Sequence, residues 1–272
     1  MDISNINKQE IRELLKEDKR TDGRKPFEFR EIVIETNVSN NAEGTARVKI
    51  GKTEVIAGVK METQVPYSDH DDEGTLMVGM EFSPICGKRY ENGPPGMDSI
   101  EVARVIDRGI RESKYVDFKK LCIKKGERVW SILVDLYCIN DDGNALDACG
   151  LAAVAALKLA KVPGFDEETN TVKYGEVSGE LPLKDFTPIT MTFHKIGEKL
   201  LVDPNRDEED TRDSRITLTL SVQGKDKIVH SMQKGEIDSI SGDELIQIAE
   251  ESENVYDDLF DKIKKQIKGL EH

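Results

Sequence analysis

Nineteen consecutive residues, Asn144 to Val162 (NALDACGLAAVAALKLAKV), constrain this chain more than any other segment. They are almost wholly small or apolar, and a helix apolar on all sides has no face to offer to water, so it lies in the middle of a domain. The rest of the chain must supply layers that cover it. The other apolar runs are only a few residues long, which excludes a bilayer span of about 20 apolar residues.

The covering layers are visible as period-two alternation. Ile32 and Ile34, then Ala46, Val48 and Ile50, then Val55, Ala57, Val59 and Met61, then Met77 and Gly79 mark about four strands between Phe29 and Phe82. Val65 to Gly74 (VPYSDHDDEG) forms a polar loop inside that sheet. Val129 to Ile139 adds a further β-rich run, and Ile189–Phe193, Lys199–Val202, Ile216–Val222 and Lys227–Met232 form a second set of strands. Phe165 to Gly179 reads as a polar connector between the two sets.

Three more helices are expected. Ile3 to Glu17 has a ragged helical period, and Arg20 to Pro26 follows it as a turn-rich connector. After Gly93-Pro94-Pro95-Gly96, helical spacing returns over Ser99 to Lys114, with Ile100, Ala103, Ile106 and Ile110 on one side. Ser241-x-x-Glu244 is a capping box that opens a last helix carrying Leu245, Ile248, Ala249, Leu259, Ile263 and Ile267 and ending near Gly269. The terminal Leu270-Glu271-His272 has the look of an expression-tag remnant. Strands, a helix, a strand, the buried helix, strands again and a closing helix make an α+β plan. The expected organisation is an N-terminal helix and connector over 1–26, a first half over 27–163 and a second half over 186–268.

Charge narrows the function classes. Lys and Arg number 39 and Asp and Glu 53, so the balance is 39 − 53 = −14, which repels free polyanions over most of the surface. Any nucleic-acid role rests on a local basic patch. The first twenty residues carry charge throughout with no apolar core, so no secretory signal is expected and the location is cytoplasmic. Cys86, Cys122, Cys138 and Cys149 include no C-x-x-C pair and read as reduced thiols.

Several local motifs invite a chemical reading. Gly51-Lys52-Thr53 lies between strands and lacks the earlier glycine of a phosphate loop, so it reads as a hairpin. Asp203, Asn205 and Asp207 begin like a calcium loop, but Glu208 stands where glycine is needed, and the four histidines have no partner at metal-ligand spacing. No metal and no cofactor is implied. The sharper signal is Arg104, Arg108 and Arg111, which offsets of four and seven place in one stripe, opposite Ile100, Ile106 and Ile110. From Arg104 to Arg128 nine basic residues face four acidic ones. Such a stripe suits phosphates, or it is a solvated helix face with Glu101–Arg104, Asp107–Arg111 and Arg108–Glu112 pairing locally. Asp203 to Asp213 (DPNRDEEDTRD) holds six carboxylates and two arginines, and is either an acidic loop or a divalent-ion site.

In chain order, Arg20-Thr21-Asp22-Gly23-Arg24, Ser99 to Ser113 (SIEVARVIDRGIRES), Asn140 to Cys149 (NDDGNALDAC) and Val202 to Glu209 (VDPNRDEE) extend over nearly the whole chain. With these motifs the sequence resembles RNase PH-type proteins, and among them the non-catalytic subunit of the archaeal exosome. The resemblance implies an RNase PH-like α+β fold of two related halves, with sheets packed on a buried helix and a long C-terminal helix. It implies a hexameric ring of three heterodimers with a catalytic RNase PH-like sister, RNA-binding cap subunits, single-stranded RNA in the channel and no membrane.

The resemblance also assigns residues. Arg104 and Arg108 match positions directed toward RNA, and Arg111 serves RNA or a subunit interface. In active members a hydroxyl residue followed by Arg opens the buried helix and holds the attacking phosphate; the matching positions here are Ala145 and Leu146, which offer no hydrogen bond and no charge. Asp141, Asp142 and Asp147 add nearby repulsion. Active members carry two aspartates six residues apart, where this chain has Asp203 and Glu209, and arginines where it has Met97-Asp98. The expectation is therefore a degenerate site at Ala145, Leu146, Asp203 and Glu209 with no catalytic residue. The alternatives are an active phosphate-dependent 3′-to-5′ exoribonuclease, and an acidic adaptor that does not touch RNA.

Overall fold

The computed structural model describes residues 5–267. The expected helix start at Ile3, the helix end near Gly269 and the tag-like terminus lie outside the described residues.

The first sheet follows the alternation closely: β1 (Ile32–Thr36), β2 (Gly44–Ile50) and β3 (Thr53–Gln64) form an antiparallel meander, and Ala46, Val48, Val55, Ala57 and Val59 point to one buried face. Next comes β4 (Thr75–Phe82), which does not pair with β3. Helix α1 (Asn5–Lys16) precedes the sheet, and α2 (Met97–Ser113) with the short β5 (Cys122–Lys124) leads into β6 (Arg128–Asn140). The sheet order is β1-β2-β3-β6-β4, with β6 antiparallel to β3 and parallel to β4. A parallel pair needs a crossover, and α2 supplies it.

Helix α3 (Ala145–Leu159) is the apolar segment, and thirteen of its residues are buried. It packs on β2 and β3 on one side and on β9 (Ile189–Ile196) of the second sheet on the other. Alanine and glycine permit that double contact: a Cβ on Gly150 meets Thr190 Cβ at 2.9 Å, and one on Gly44 meets the Ala156 carbonyl at 2.3 Å. The second sheet has the order β10-β9-β11-β12, all antiparallel, with β10 (Lys199–Val202), β11 (Ser214–Gln223) and β12 (Asp226–Gly235). A single apolar core runs through both sheets and their helices, and a smaller cluster of Ile11, Leu15, Ile196 and Leu201 fastens α1 to the second sheet.

Three expectations need correction. Residues expected as a connector form an antiparallel ribbon of β7 (Lys161–Asp166) and β8 (Thr171–Glu180). Most of β8 is exposed, so it has no buried side to impose alternation; ladder pairing and the Phe165–Trp130 edge contact, 6.1 Å between ring centres, hold the ribbon. On α2 the buried stripe is Val102, Val105, Ile106 and Ile110, because the helix packs on β4 and β12 together. Ile100 is 46% exposed and shares its side with Arg104 instead of opposing it. In the closing helix α5 (Gly242–Ile263) the capping box is present as expected, with Ser241 accepting from the Glu244 amide, but Leu245 and Ala249 are exposed. That helix reaches the core at Ile248, Val255, Tyr256, Leu259, Phe260 and Ile263.

Candidate functional site

Two clusters of arginine border the regions singled out in the sequence, and a third lies beneath them. Helix α2 stands between the open edge strands β4 and β12 and carries the first. Arg104 is exposed and makes no hydrogen bond or ion pair among the described residues. Arg108, 62% exposed at its side chain, reaches Glu112 at 3.1 Å. Arg111 is held: it donates to Asp107 at 2.7 Å and to the Leu76 carbonyl at 2.9 Å, and lies over the Phe118 ring. The expected Glu101–Arg104 pair does not form, because Glu101 takes Arg215 at 2.6 Å and Gln233 at 2.8 Å. Of the stripe, Arg104 and Arg108 face solvent together and Arg111 is tied to its own helix and to β4.

The N-terminus of α3, the four-residue helix α4 (Arg206–Glu209), the loop after β4 and the first turns of α2 enclose a cavity of about 280 Å³. Ala145 and Leu146 form its apolar wall and Glu209 its acidic rim. The sequence reading missed its arginines: Arg89, Arg206, Arg212 and Arg215 all line it. Each is paired with a carboxylate of the chain itself, although the buried Nε of Arg215 has no hydrogen-bond partner among the described residues. Arg206 meets Asp141 at 2.6 Å and both Glu209 and Asp210 at 2.8 Å. Arg89 meets Asp210 at 2.6 Å, Arg212 meets Glu236 at 2.7 Å, and Arg215 meets Glu101 at 2.6 Å. With Lys8, five basic side chains face six acidic ones, Asp98, Glu101, Asp141, Glu209, Asp210 and Glu236.

These pairs set the protonation of the cavity. Burial opposes the charge of Asp210, but the Arg89 hydrogen bond and the Arg206 charge outweigh it and hold the carboxyl below its usual range. Tyr90 is pushed strongly up, by burial first and then by Asp141, to which it donates at 2.7 Å. Asp141 is therefore not a lone repulsive charge, as the sequence reading expected; it is bound by Arg206 and Tyr90. Asp142 lies 3.6 Å from Arg30, and Asp147 is turned into the protein, accepting the Thr192 hydroxyl at 2.7 Å and the Thr192 amide at 3.1 Å. Burial raises its carboxyl to about 7 against those bonds.

Asp203 does not join Glu209 in the cavity. Its side chain is fully buried, with φ +47°, and accepts Arg30 at 2.7 Å, Asn144 at 2.9 Å and Arg24 at 3.0 Å. Arg20 of the same N-terminal connector forms a pair with Glu208 at 2.6 Å in which both side chains are 0% exposed, and donates to the Val202 and Asp203 carbonyls. The run Arg20-Thr21-Asp22-Gly23-Arg24 is thus a clasp that locks the connector onto Val202 to Glu209. The placement divides the four residues expected as a degenerate site: Ala145, Leu146 and Glu209 border the cavity, and Asp203 belongs to the clasp beside it.

Residues 28–163 match domain 1 of the 3′ exoribonuclease family, RNase PH, and residues 187–254 match its domain 2. Exosome complex component Rrp42 of Methanosarcina mazei is 44% identical over 85% of this chain and 84% of its own, and that of Archaeoglobus fulgidus is 42% identical over 95% and 92%. Among solved structures, a chain of the Archaeoglobus fulgidus exosome with RNA bound to the active site superposes with a TM-score of 0.87 at 40% identity, covering 96% of this chain and 98% of that one. A chain of an archaeal exosome core gives 0.82 at 38% identity, covering 96% and 97%. With both domains matched in order around the buried helix, the chain belongs to the 3′ exoribonuclease family of RNase PH-like proteins.

Proposed function

We propose that this protein is a non-catalytic ring subunit of an archaeal exosome, contributing to 3′-to-5′ RNA degradation by holding RNA in the channel while a catalytic RNase PH-like sister carries out phosphorolysis. Three heterodimers form the hexameric ring, RNA-binding cap subunits sit on it, and the assembly works in the cytoplasm. The relatives named as exosome components and the RNA-containing neighbour support the assembly. Among the described residues no helix is long and apolar enough to cross a membrane.

One observation carries the non-catalytic part of the reading. Every arginine lining the cavity is already paired with an internal carboxylate, while Arg104 on α2 is unpaired among the described residues. Phosphate needs donors that are free when it arrives. RNA needs positive charge at the surface, and Arg104 with Arg108 supplies it in a chain whose overall charge is −14. Their contacts go to phosphate and are largely indifferent to base identity.

The test is charge reversal in the assembled ring. Arg104→Glu with Arg108→Glu is expected to weaken capture of single-stranded RNA at least tenfold and to flatten its salt dependence while the mass of the complex stays the same. Unchanged RNA capture at an unchanged mass supports the adaptor reading instead.

A further inference from the structure

The pairing inside the cavity has a geometry of its own. The Asp210 carboxylate is gripped by two guanidinium groups from separate parts of the chain: Arg89, after β4, donates to its two oxygens at 3.2 and 2.6 Å, and Arg206, on α4, donates to one oxygen at 3.2 and 2.8 Å. A bidentate fork completed by a second arginine is how proteins hold phosphate and sulfate. The group is partly shielded from water, with the side chains of Asp210 15%, Arg206 22% and Arg89 33% exposed. The cavity in front has a volume of about 280 Å³, several times the roughly 30 Å³ share of a water molecule.

We infer that Asp210 is an internal ligand, occupying a tetrahedral-oxyanion site formed by Arg89 and Arg206 and so keeping inorganic phosphate out. The inference rests on the non-catalytic reading and deepens it: the lack of a hydroxyl and a guanidinium at positions 145 and 146 is only half of the inactivation, and the other half is a carboxylate placed on Arg89 and Arg206. Asp141 closes the far side of Arg206 at 2.6 Å, so each of the three guanidinium nitrogens meets a carboxylate. Position makes the occupation permanent. Asp210 follows α4 directly, its amide bonded to the Arg206 carbonyl at 3.0 Å, and the capping box of Asn205 and Glu208 fixes that turn. An incoming anion would have to displace an anion that cannot diffuse away.

Removing the internal ligand tests this. Asp210→Ala opens the space, releases Arg89 from its carboxylate and leaves Arg206 held by Asp141 and Glu209 alone; inorganic phosphate is then titrated calorimetrically against the wild type and the variant, with chloride at matched ionic strength as the control. The expected result is phosphate binding to Asp210→Ala at least tenfold tighter than to the wild type, abolished by adding Arg89→Ala. Asp210→Ser serves the same purpose should the alanine variant not fold. If the variants bind phosphate no better than the wild type, Asp210 is not an internal ligand and the substitutions at 145 and 146 alone explain the lost site. If instead the wild type itself binds phosphate tightly and releases nucleoside diphosphates from RNA, the non-catalytic reading fails.

Discussion

Arginine performs opposite tasks in two regions of this molecule. In the clasp and beside it, Arg20 is buried against Glu208, and Arg24 and Arg30, 11% and 10% exposed at their side chains, meet the buried Asp203 at hydrogen-bond distance. On α2, Arg104 and Arg108 stand in solvent, one unpaired among the described residues and the other paired only with a helical neighbour. Arg20 and Arg24 on one side and Arg104 and Arg108 on the other lie in motifs that carry the resemblance to one family. What separates them is desolvation: a buried guanidinium is committed to the fold, because leaving it unpaired costs too much, whereas an exposed one retains its charge for a partner.

The strongest way to break that contrast is to remove one half of the buried pair. Glu208→Ala leaves the Arg20 guanidinium buried without its carboxylate and is expected to cost about 3–5 kcal/mol, read as a lowered midpoint in urea unfolding. A loss below about 1 kcal/mol shows that the clasp is not what ties the connector down.

Asp147 sharpens the comparison, being a buried carboxylate held by the hydroxyl and amide of Thr192 where Asp203 and Glu208 are held by arginines. Its folded value is about 7 against an ordinary 3.8, so the folded state holds a proton that the unfolded state has released over that interval. The Asp147 contribution is therefore fully present below about pH 4, declines as pH rises to about 7, and is flat above; a tenfold difference in proton affinity between the two states corresponds to about 1.4 kcal/mol. Unfolding free energies at pH 5 and pH 7 are expected to differ by about 2–3 kcal/mol more in the wild type than in Asp147→Asn. An equal difference in both proteins removes Asp147 as the source.

The exposed group should hardly register in stability. Arg104→Ala with Arg108→Ala is expected to change the unfolding free energy by no more than about 0.5 kcal/mol, since these are surface positions away from any buried network. Arg111→Ala is expected to have the smallest effect on RNA capture by the ring, because its guanidinium already serves Asp107 and Leu76. If it matches Arg104→Ala in RNA loss, the division of the stripe is wrong.

The elements whose signal is local were legible from the residues alone. The all-apolar run is α3, the alternating runs are strands, and Ser241 with Glu244 caps α5. The β7–β8 ribbon was not, because most of β8 is exposed and leaves no alternation to read. Nor was the direction of the acidic loop. Arg20 meets Glu208 across a separation of 188 residues, and Arg30 meets Asp203 across 173, so no spacing rule reveals which of the six carboxylates turn inward. Arg206 lay in plain view within VDPNRDEE, where an arginine among acids signals an ion-pair network; Arg89 and Tyr90 carried no comparable sign.

The central claim is that the cavity at the start of α3 does no phosphorolysis. Purified chain, incubated with single-stranded RNA and inorganic phosphate, should release no nucleoside diphosphate, and the same RNA should be consumed once the proposed catalytic RNase PH-like sister is added. Steady diphosphate release by the chain alone, eliminated by Arg206→Ala, would contradict the account.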